Sequence, residues 1–333
     1  MIETGPHYPT LTGAGAGRLL DRPWRIVIAG AGGWMGRASI EQLHGLLGDA
    51  FEERVVCFGS TARTLTLRGG LAVAQQPLRE MANLPAAPSL VLYFAFLTQE
   101  KAGLMSHDAY VAANRAISDT VFDALGPIGA EGVFVASSGA VEMVGRQGAD
   151  PNKALYGELK LQDERRFAEW AESRRRRTVT ARIYGLSGPY INKIDSYALA
   201  CFIVDVLSER PIAITANRPV YRSYVAIDEL MSVAYGLMTD GARGVTRFDT
   251  GAERAFEMGE IAADVAVAMG HRLGITRPKI TETEADYYAG DGVDYDRLRR
   301  RLEVTPVDFR TQVCETGRYM AEAGLHMAAG IQR

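Results

Sequence analysis

The sequence predicts an α/β protein, a doubly wound parallel sheet followed by a smaller C-terminal lobe. Three observations carry that prediction. Apolar strand-like runs alternate with helical segments from Trp24 onward, as crossover connections of a parallel sheet require. A glycine cluster stands directly between the first such run and the first helix. The run Leu90–Ala95 is apolar almost throughout, which suits a strand covered on both faces.

Taken in order, Arg25–Ala29 is the first short buried strand, and the helix after the glycine turn extends through Glu41 to Leu47. Arg54–Phe58 reads as the second strand and Leu71–Ala74 as a weaker third. After Leu90–Ala95, a helix is expected over Ser106–Leu125, a strand over Gly132–Ala136, a helix over Leu155–Ser173 and a sixth strand over Thr178–Tyr184. The basic run Arg174–Arg177 reads as a solvated helix end, where cations favour the negative pole of the helix dipole. Phe202–Leu207 and Leu230–Ala234 read as core faces of helices. The domain scheme is therefore an N-terminal extension over 1–23, rich in Gly, Thr and Pro; a dinucleotide-binding domain over 24–184 with a return segment near 212–228; and a lobe over 185–333 that is mainly substrate-binding.

Composition excludes several function classes. A net charge of −3 offers no electrostatic footprint for nucleic acid or a membrane surface. No apolar run reaches the ~18–20 residues of a membrane span, and MIETGPHYPT lacks the basic-then-apolar order of a secretion signal, so a cytoplasmic protein is expected. Cys57, Cys201 and Cys314 lie far apart, without metal-ligand spacing. His7, His44, His107, His271 and His326 are scattered as well, and no metal is expected. Asp291, Asp294 and Asp296 lack the ligand order of a calcium loop and read as part of a solvated loop over Asp286–Asp296.

The glycines are Gly30, Gly33 and Gly36, spaced GxxGxxG with an extra Gly32, and they enclose Trp34 and Met35. Between a strand and a helix this pattern reads as a Rossmann phosphate turn, because glycine lets the backbone approach a pyrophosphate and the helix start supplies amide donors. NAD enzymes usually end the second strand with a carboxylate for the ribose 2′-hydroxyl. Here Phe58-Gly-Ser60-Thr61-Ala-Arg63 contains none. Ser60 and Arg63 suit a 2′-phosphate, which favours NADP, with NAD the alternative and a plain surface role for Arg63 the bland reading.

Tyr156 and Lys160 stand four apart near a helix start, so hydroxyl and ammonium share one face. A lysine cation beside a phenol favours the phenolate and brings it into working range as an acid/base. Ser138 closes the preceding strand, placed to hydrogen-bond a substrate oxygen.

These motifs resemble the extended short-chain dehydrogenase/reductases, the NAD-dependent epimerase/dehydratase family acting on nucleotide sugars. The similarity runs from about Arg25 to Pro306 and includes Gly30/Gly33/Gly36, Ser137-Ser138-Gly-Ala-Val, Tyr156/Lys160, Arg182–Pro189, Arg222–Asp228 and Val293–Leu302. It implies that Ser138 orients the substrate oxygen, that Tyr156 is the acid/base, and that Lys160 holds the nicotinamide ribose. It further implies that Asn114 supports the site, that Ala95, Phe96 and Tyr184 line the cofactor, and that Gly185 and Arg222 face the substrate, Arg222 at the diphosphate. A nucleotide-sugar substrate and a homodimer are implied too. Family dehydratases carry Asp-Glu where this chain has Gly139-Ala140, which argues against elimination of water. Glu142, Gly185 and Ser223 also replace the usual Tyr, Asn and Asp. The expectation is a 4-keto-sugar reductase; the alternatives are an epimerase with retained cofactor and a non-catalytic NADP-binding regulator.

Overall fold

In the computed structural model of the protein, residues 10–252 and 254–329 are described. The main sheet has eight strands: β1 (Arg25–Ala29), β2 (Val55–Gly59), β3 (Arg63–Thr66), β4 (Ala72–Pro77), β5 (Ser89–Tyr93), β6 (Ala130–Ser138), β7 (Arg177–Ile183) and β8 (Gly244–Asp249). Their order is β8-β7-β6-β5-β1-β2-β4-β3. All neighbours are parallel except β3, which runs antiparallel to β4 at the edge. The chain winds outward from β1 through β2, then returns to β5 and winds the other way. The switch point lies between β1 and β5, where α/β sheets open a crevice at the carboxyl ends of their strands.

β1 and β5 form the centre because both are apolar and covered on both faces; Ile26, Val27, Ile28, Val91 and Leu92 are fully buried. Helices α1 (Ala14–Asp21), α2 (Trp34–Leu47), α3 (His107–Leu125), α4 (Pro151–Arg174), α5 (Ala198–Leu207), α6 (Ile227–Thr239), α7 (Met258–Met269), α8 (Gly292–Arg301) and α9 (Phe309–Glu322) complete the main elements. Two caps position those that matter for the site. Ser106 accepts the Ala109 amide at the start of α3, and Asp150 accepts the Lys153 amide at the start of α4, where Pro151 occupies the first turn.

Several expectations change. Residues 14–21, read as part of a loose extension, form α1, which packs on α6 with Leu19 fully buried; the expectation for residues 1–9 lies outside the described residues. The two helices approach so closely that a Cβ on Gly15 would stand 2.5 Å from the Gly236 nitrogen. Between β2 and the weak third strand, the sequence forms an additional edge strand, β3, whose hairpin partner pairs over Ala72–Pro77. The chain re-enters the main sheet at β8, and the helix α6, which begins at Ile227, returns to pack on β6 and β7. The short strands over 212–228, Ile212–Ala213, Val220–Arg222 and Val225–Ala226, pair with Ile275–Thr276, with Phe256–Glu257 and Asp286–Tyr288, and with Leu186–Ser187. The basic run divides: Arg175 is the left-handed cap of α4, whereas Arg177 is buried at the start of β7 and donates to the Leu237 carbonyl. The acidic stretch is not a loop throughout. It contributes the strand Asp286–Tyr288 and then α8, which Asp291 caps by accepting the Val293 and Asp294 amides.

Candidate active site

A cleft of about 1270 Å³ opens over the carboxyl ends of β1, β5, β6 and β7. Its lining brings together Gly30, Gly33, Trp34, Met35, Gly36, Phe96, Ser138, Tyr156, Lys160, Tyr184, Gly185 and Arg222, twelve residues that the sequence singles out. Ala95, Asn114, Ser60 and Arg63 stand outside it. The Ala95 amide donates to Ala29 directly behind the glycine turn. Asn114, buried on α3, accepts the Leu97 amide at 2.8 Å and so fixes the loop that leaves β5. Ser60 is exposed at the end of β2. Arg63 begins the edge strand, yet its guanidinium reaches back over the turn: a Cβ on Gly32 would lie 2.1 Å from its Nη2.

The turn has the shape a pyrophosphate needs. Gly30 has φ +99°, and a Cβ there would collide with the Ala95 nitrogen at 2.6 Å. A Cβ on Gly36 would stand 2.3 Å from the Gly30 carbonyl oxygen. Gly33 differs, since a Cβ there would meet only the Gly30 oxygen, at 3.4 Å. Protein packing does not demand a glycine at that position; its bare backbone leaves room at the amino end of α2, where no side chain caps the helix. A dinucleotide therefore fits the residues present.

Strand alternation separates the two serines. Ser137 Oγ donates to Glu164 at 2.5 Å, and Glu164 is also held by a two-pronged pair with Arg182 at 2.8 Å on each arm. Ser138, next along β6, faces the cleft, with its Oγ 3.4 Å from the Tyr288 hydroxyl. On α4, Tyr156 and Lys160 both point inward. The Phe96 ring meets Tyr156 edge-on, with centroids 5.6 Å apart.

Burial, rather than the lysine, dominates the electrostatics of Tyr156. Desolvation holds its phenol well above the ordinary tyrosine range, and the nearby Tyr197 and Tyr288 push the same way, while a hydrogen bond with Ser138 opposes. The lowering expected from Lys160 does not arise in this geometry, because the ammonium lies 5.8 Å from the Tyr156 ring centre and is engaged elsewhere. It donates to the Ala136 carbonyl at 2.8 Å and lies 3.7 Å from the centre of the Phe96 ring. Burial lowers Lys160 to about 8, with Asp163 and Glu164 partly offsetting it. Asp163 is fixed in turn by the hydroxyls of Ser118 at 2.6 Å and Tyr93 at 3.0 Å.

Tyr184 lines the cleft with its ring, but its hydroxyl donates to Glu142 at 2.6 Å and Asp249 at 3.2 Å. Its ring fills the space above Gly139, where a Cβ would come within 2.4 Å. That contact is a packing reason for glycine at a position where dehydratases carry an acid. Sequence reasoning missed Lys153, Tyr197 and Tyr288 in the lining. For Lys153 a signal existed, since residues three apart share a helix face and Lys153 precedes Tyr156 by three. Tyr288 reaches the site only through the pairing of its short strand with Val220–Arg222, which no local pattern announces. Among the described residues, no group of three or more His, Cys, Asp or Glu side chains could hold a metal, and no helix is long and apolar enough to cross a membrane.

A parallel sheet with a glycine turn at its switch point, and a catalytic-type serine, tyrosine and lysine over the same crevice, defines a Rossmann-fold enzyme of the extended short-chain dehydrogenase/reductase type. The model of the NAD dependent epimerase/dehydratase family matches residues 26–250, and the chain belongs to that family. No curated protein matches the sequence. Among solved structures, it is similar to a UDP-N-acetylglucosamine 4-epimerase from Methanobrevibacter ruminantium M1 in complex with UDP-N-acetylmuramic acid, with a TM-score of 0.71 and 15% identity over 91% of this chain and 99% of that one. It is also similar to MoeE5 in complex with UDP-glucuronic acid and NAD, with a TM-score of 0.67 and 17% identity over 90% and 99%. The UDP-glucose 4-epimerase of Thermus thermophilus in complex with NAD gives a TM-score of 0.62 and 18% identity over 90% and 99%. At these identities the likeness is one of fold.

Proposed function

We propose that the protein is a nucleotide-sugar epimerase that retains NAD and inverts one carbon of the sugar. The single observation that carries this reading is that Ser138, Tyr156 and Lys160 face the same cleft as the glycine turn. Two of these similar structures are named as UDP-sugar 4-epimerases, and two hold NAD; this favours the epimerase over the 4-keto-sugar reductase expected from the missing carboxylate after β2, and NAD over NADP. Arg63, the residue behind the NADP expectation, packs against the glycine turn at Gly32, a position that suits a pyrophosphate as well as a 2′-phosphate.

Gly30, Gly33 and Gly36 would cradle the pyrophosphate, and Met35, Phe96 and Tyr184 would line the rest of the dinucleotide. Bound nicotinamide supplies a reversible hydride acceptor. Ser138 donates a hydrogen bond to the sugar oxygen at the reacting carbon. Tyr156 takes the hydroxyl proton as that carbon is oxidised to the ketone, and returns it when the carbon is reduced from the other face. Lys160, held by the Ala136 carbonyl and Phe96, carries positive charge at neutral pH and would hold the nicotinamide ribose. Buried side chains around the phenol keep water from competing for the proton. The intact Ser138, Tyr156 and Lys160 disfavour a non-catalytic regulator.

Incubating the purified protein with nucleoside-diphosphate sugars, without added cofactor, tests the reading. Inversion of the sugar with no net change in the nicotinamide absorbance band supports a retained-cofactor epimerase. Stoichiometric consumption of added NADPH with release of an alcohol would replace it by the reductase.

A further inference from the structure

Five cations line the cleft: Lys153, Lys160, Lys193, Arg218 and Arg222. Three are neutralised where they stand. Lys193 donates to both oxygens of Glu100 at 2.7 Å, Arg218 pairs with Glu282 at 3.0 Å, and Arg222 pairs with Asp286 at 2.8 Å. Lys160 belongs to the reacting set and has the Ala136 carbonyl as its acceptor. Lys153 is different. Among the described residues no carboxylate or carbonyl oxygen accepts from its ammonium, which lies 4.1 Å from the centre of the Tyr288 ring. The nearest acids are already engaged, Asp286 with Arg222 and Asp150 with the Lys153 backbone amide.

The position of that ammonium decides what it can read. Lys153 stands on α4 one turn before Tyr156, so the two side chains share a face. The Tyr288 ring beneath it carries the hydroxyl that lies 3.4 Å from Ser138 Oγ. A single aromatic side chain therefore separates the free cation from the hydroxyl expected to hold the reacting sugar oxygen. Arg222, the register partner of Tyr288, brings a guanidinium, itself paired with Asp286, to within 5.9 Å of the same ring. A half-buried ammonium without an acceptor is an unfavourable arrangement that an anion relieves. The pyrophosphate of a dinucleotide belongs at the glycine turn, so that anion is supplied by the substrate.

We infer, resting on the nucleotide-sugar reading above, that Lys153 is a specificity-determining residue that binds a carboxylate carried by the sugar itself, so that the substrate is a uronate-type nucleotide sugar. Burial first, and then the Arg222 charge, lower the Lys153 ammonium from its ordinary range, against an opposing pull from Asp286 and Asp150.

Calorimetric titration of the NAD-loaded protein compares three ligands in the UDP series and three in the GDP series: the uronate sugar, its neutral counterpart and the bare nucleoside diphosphate. In the wild-type protein the uronate is expected to bind at least ten-fold tighter than the neutral sugar, and in Lys153→Met that gap is expected to collapse, with partial recovery in Lys153→Arg. Equal binding of uronate and neutral sugar by the wild-type protein overturns the inference without any variant, which keeps the test decisive should Lys153→Met fail to fold. Equal weakening of all three ligands in Lys153→Met overturns it too, assigning the ammonium to the diphosphate. If none of the six binds while NAD does, the nucleotide-sugar reading itself fails and the inference falls with it.

Discussion

The Lys160 ammonium lies 3.7 Å from the centre of the Phe96 ring, closer than its 5.8 Å separation from the ring of Tyr156. Phe96 also meets Tyr156 edge-on, so one aromatic side chain from the loop after β5 holds both members of the pair on α4. A cation over a ring contributes about 0.5–2 kcal/mol, with the larger value at desolvated sites. Phe96→Leu should therefore lower turnover roughly 2- to 30-fold, the rate equivalent of that range, while the circular dichroism spectrum and melting temperature stay close to wild type. Unchanged turnover would separate Phe96 from the positioning of Lys160.

Tyr156→Phe removes the proposed proton carrier and leaves the ring contact with Phe96 in place. General acid–base groups contribute typically ~10²–10⁴ in rate, so turnover should fall by about that factor. Cofactor copurifying with the variant, measured by mass spectrometry after denaturation, should match wild type, because the glycine turn is untouched. Loss of cofactor together with turnover would point to a collapsed cleft instead.

The pH profile follows from Lys160, which burial brings down to about 8. Below that pH Lys160 is a charged donor for the nicotinamide ribose, as proposed above; above it the charge is lost. kcat/KM should therefore decline on the alkaline side with a midpoint near pH 8, well below the ~10.4 of an unperturbed lysine. In Phe96→Leu the cation loses its ring, so the midpoint should move to lower pH. A profile showing no alkaline decline in that region would contradict this.

Much of this arrangement was legible in the sequence because its determinants are local. The strand–glycine–helix passage from Arg25 through Gly36 and the four-residue spacing of Tyr156 and Lys160 need no tertiary information. What remained hidden depends on contacts between distant segments. Edge strand β3 has alternation too short to register, and it exists because Arg63–Thr66 finds Ala72–Gln75 as a partner. Re-entry at β8 is fixed by pairing along β7 from Gly244 to Asp249, whereas the apolar segments near 212–228 find partners in the C-terminal part of the chain. The electrostatics of Tyr156 escape the sequence for a related reason. Spacing places a lysine on the same helix face, but it does not reveal that Ala136 and Phe96 capture its ammonium or that burial raises the phenol.

Gly36→Ala probes the phosphate turn. The added methyl would stand 2.3 Å from the Gly30 oxygen and 2.6 Å from the Ala31 Cα, both backbone atoms that cannot rotate away. Overpacking of this kind costs typically ~1–3 kcal/mol. The variant should melt lower and release its cofactor on dilution, whereas Gly45→Ala on the same helix, with nothing within 4 Å of the new methyl, should be neutral or slightly stabilising. Retained cofactor and an unchanged melting temperature in Gly36→Ala would mean that the turn is looser than this geometry.

Glu229 governs a pH dependence of stability away from the cleft. It is buried on α6, where its carboxylate accepts the Val307 amide at 2.9 Å and ties the segment before α9 to the helix behind the sheet. Burial raises its carboxyl to about 7, above the ~4.3 of an unfolded chain, so the native state binds the proton more tightly. The sign follows directly: stability rises as pH falls from about 7 toward the unfolded value, and above 7 the buried charge costs up to about 4 kcal/mol. Glu229→Gln keeps an oxygen for the Val307 amide and removes the charge. It should be more stable than wild type at about pH 8, by an amount that shrinks steadily toward about pH 5. Urea unfolding of both proteins at three pH values across that range measures this. A difference that is constant across them, or that grows toward the acid end, would show that Glu229 carries no raised titration in the folded protein.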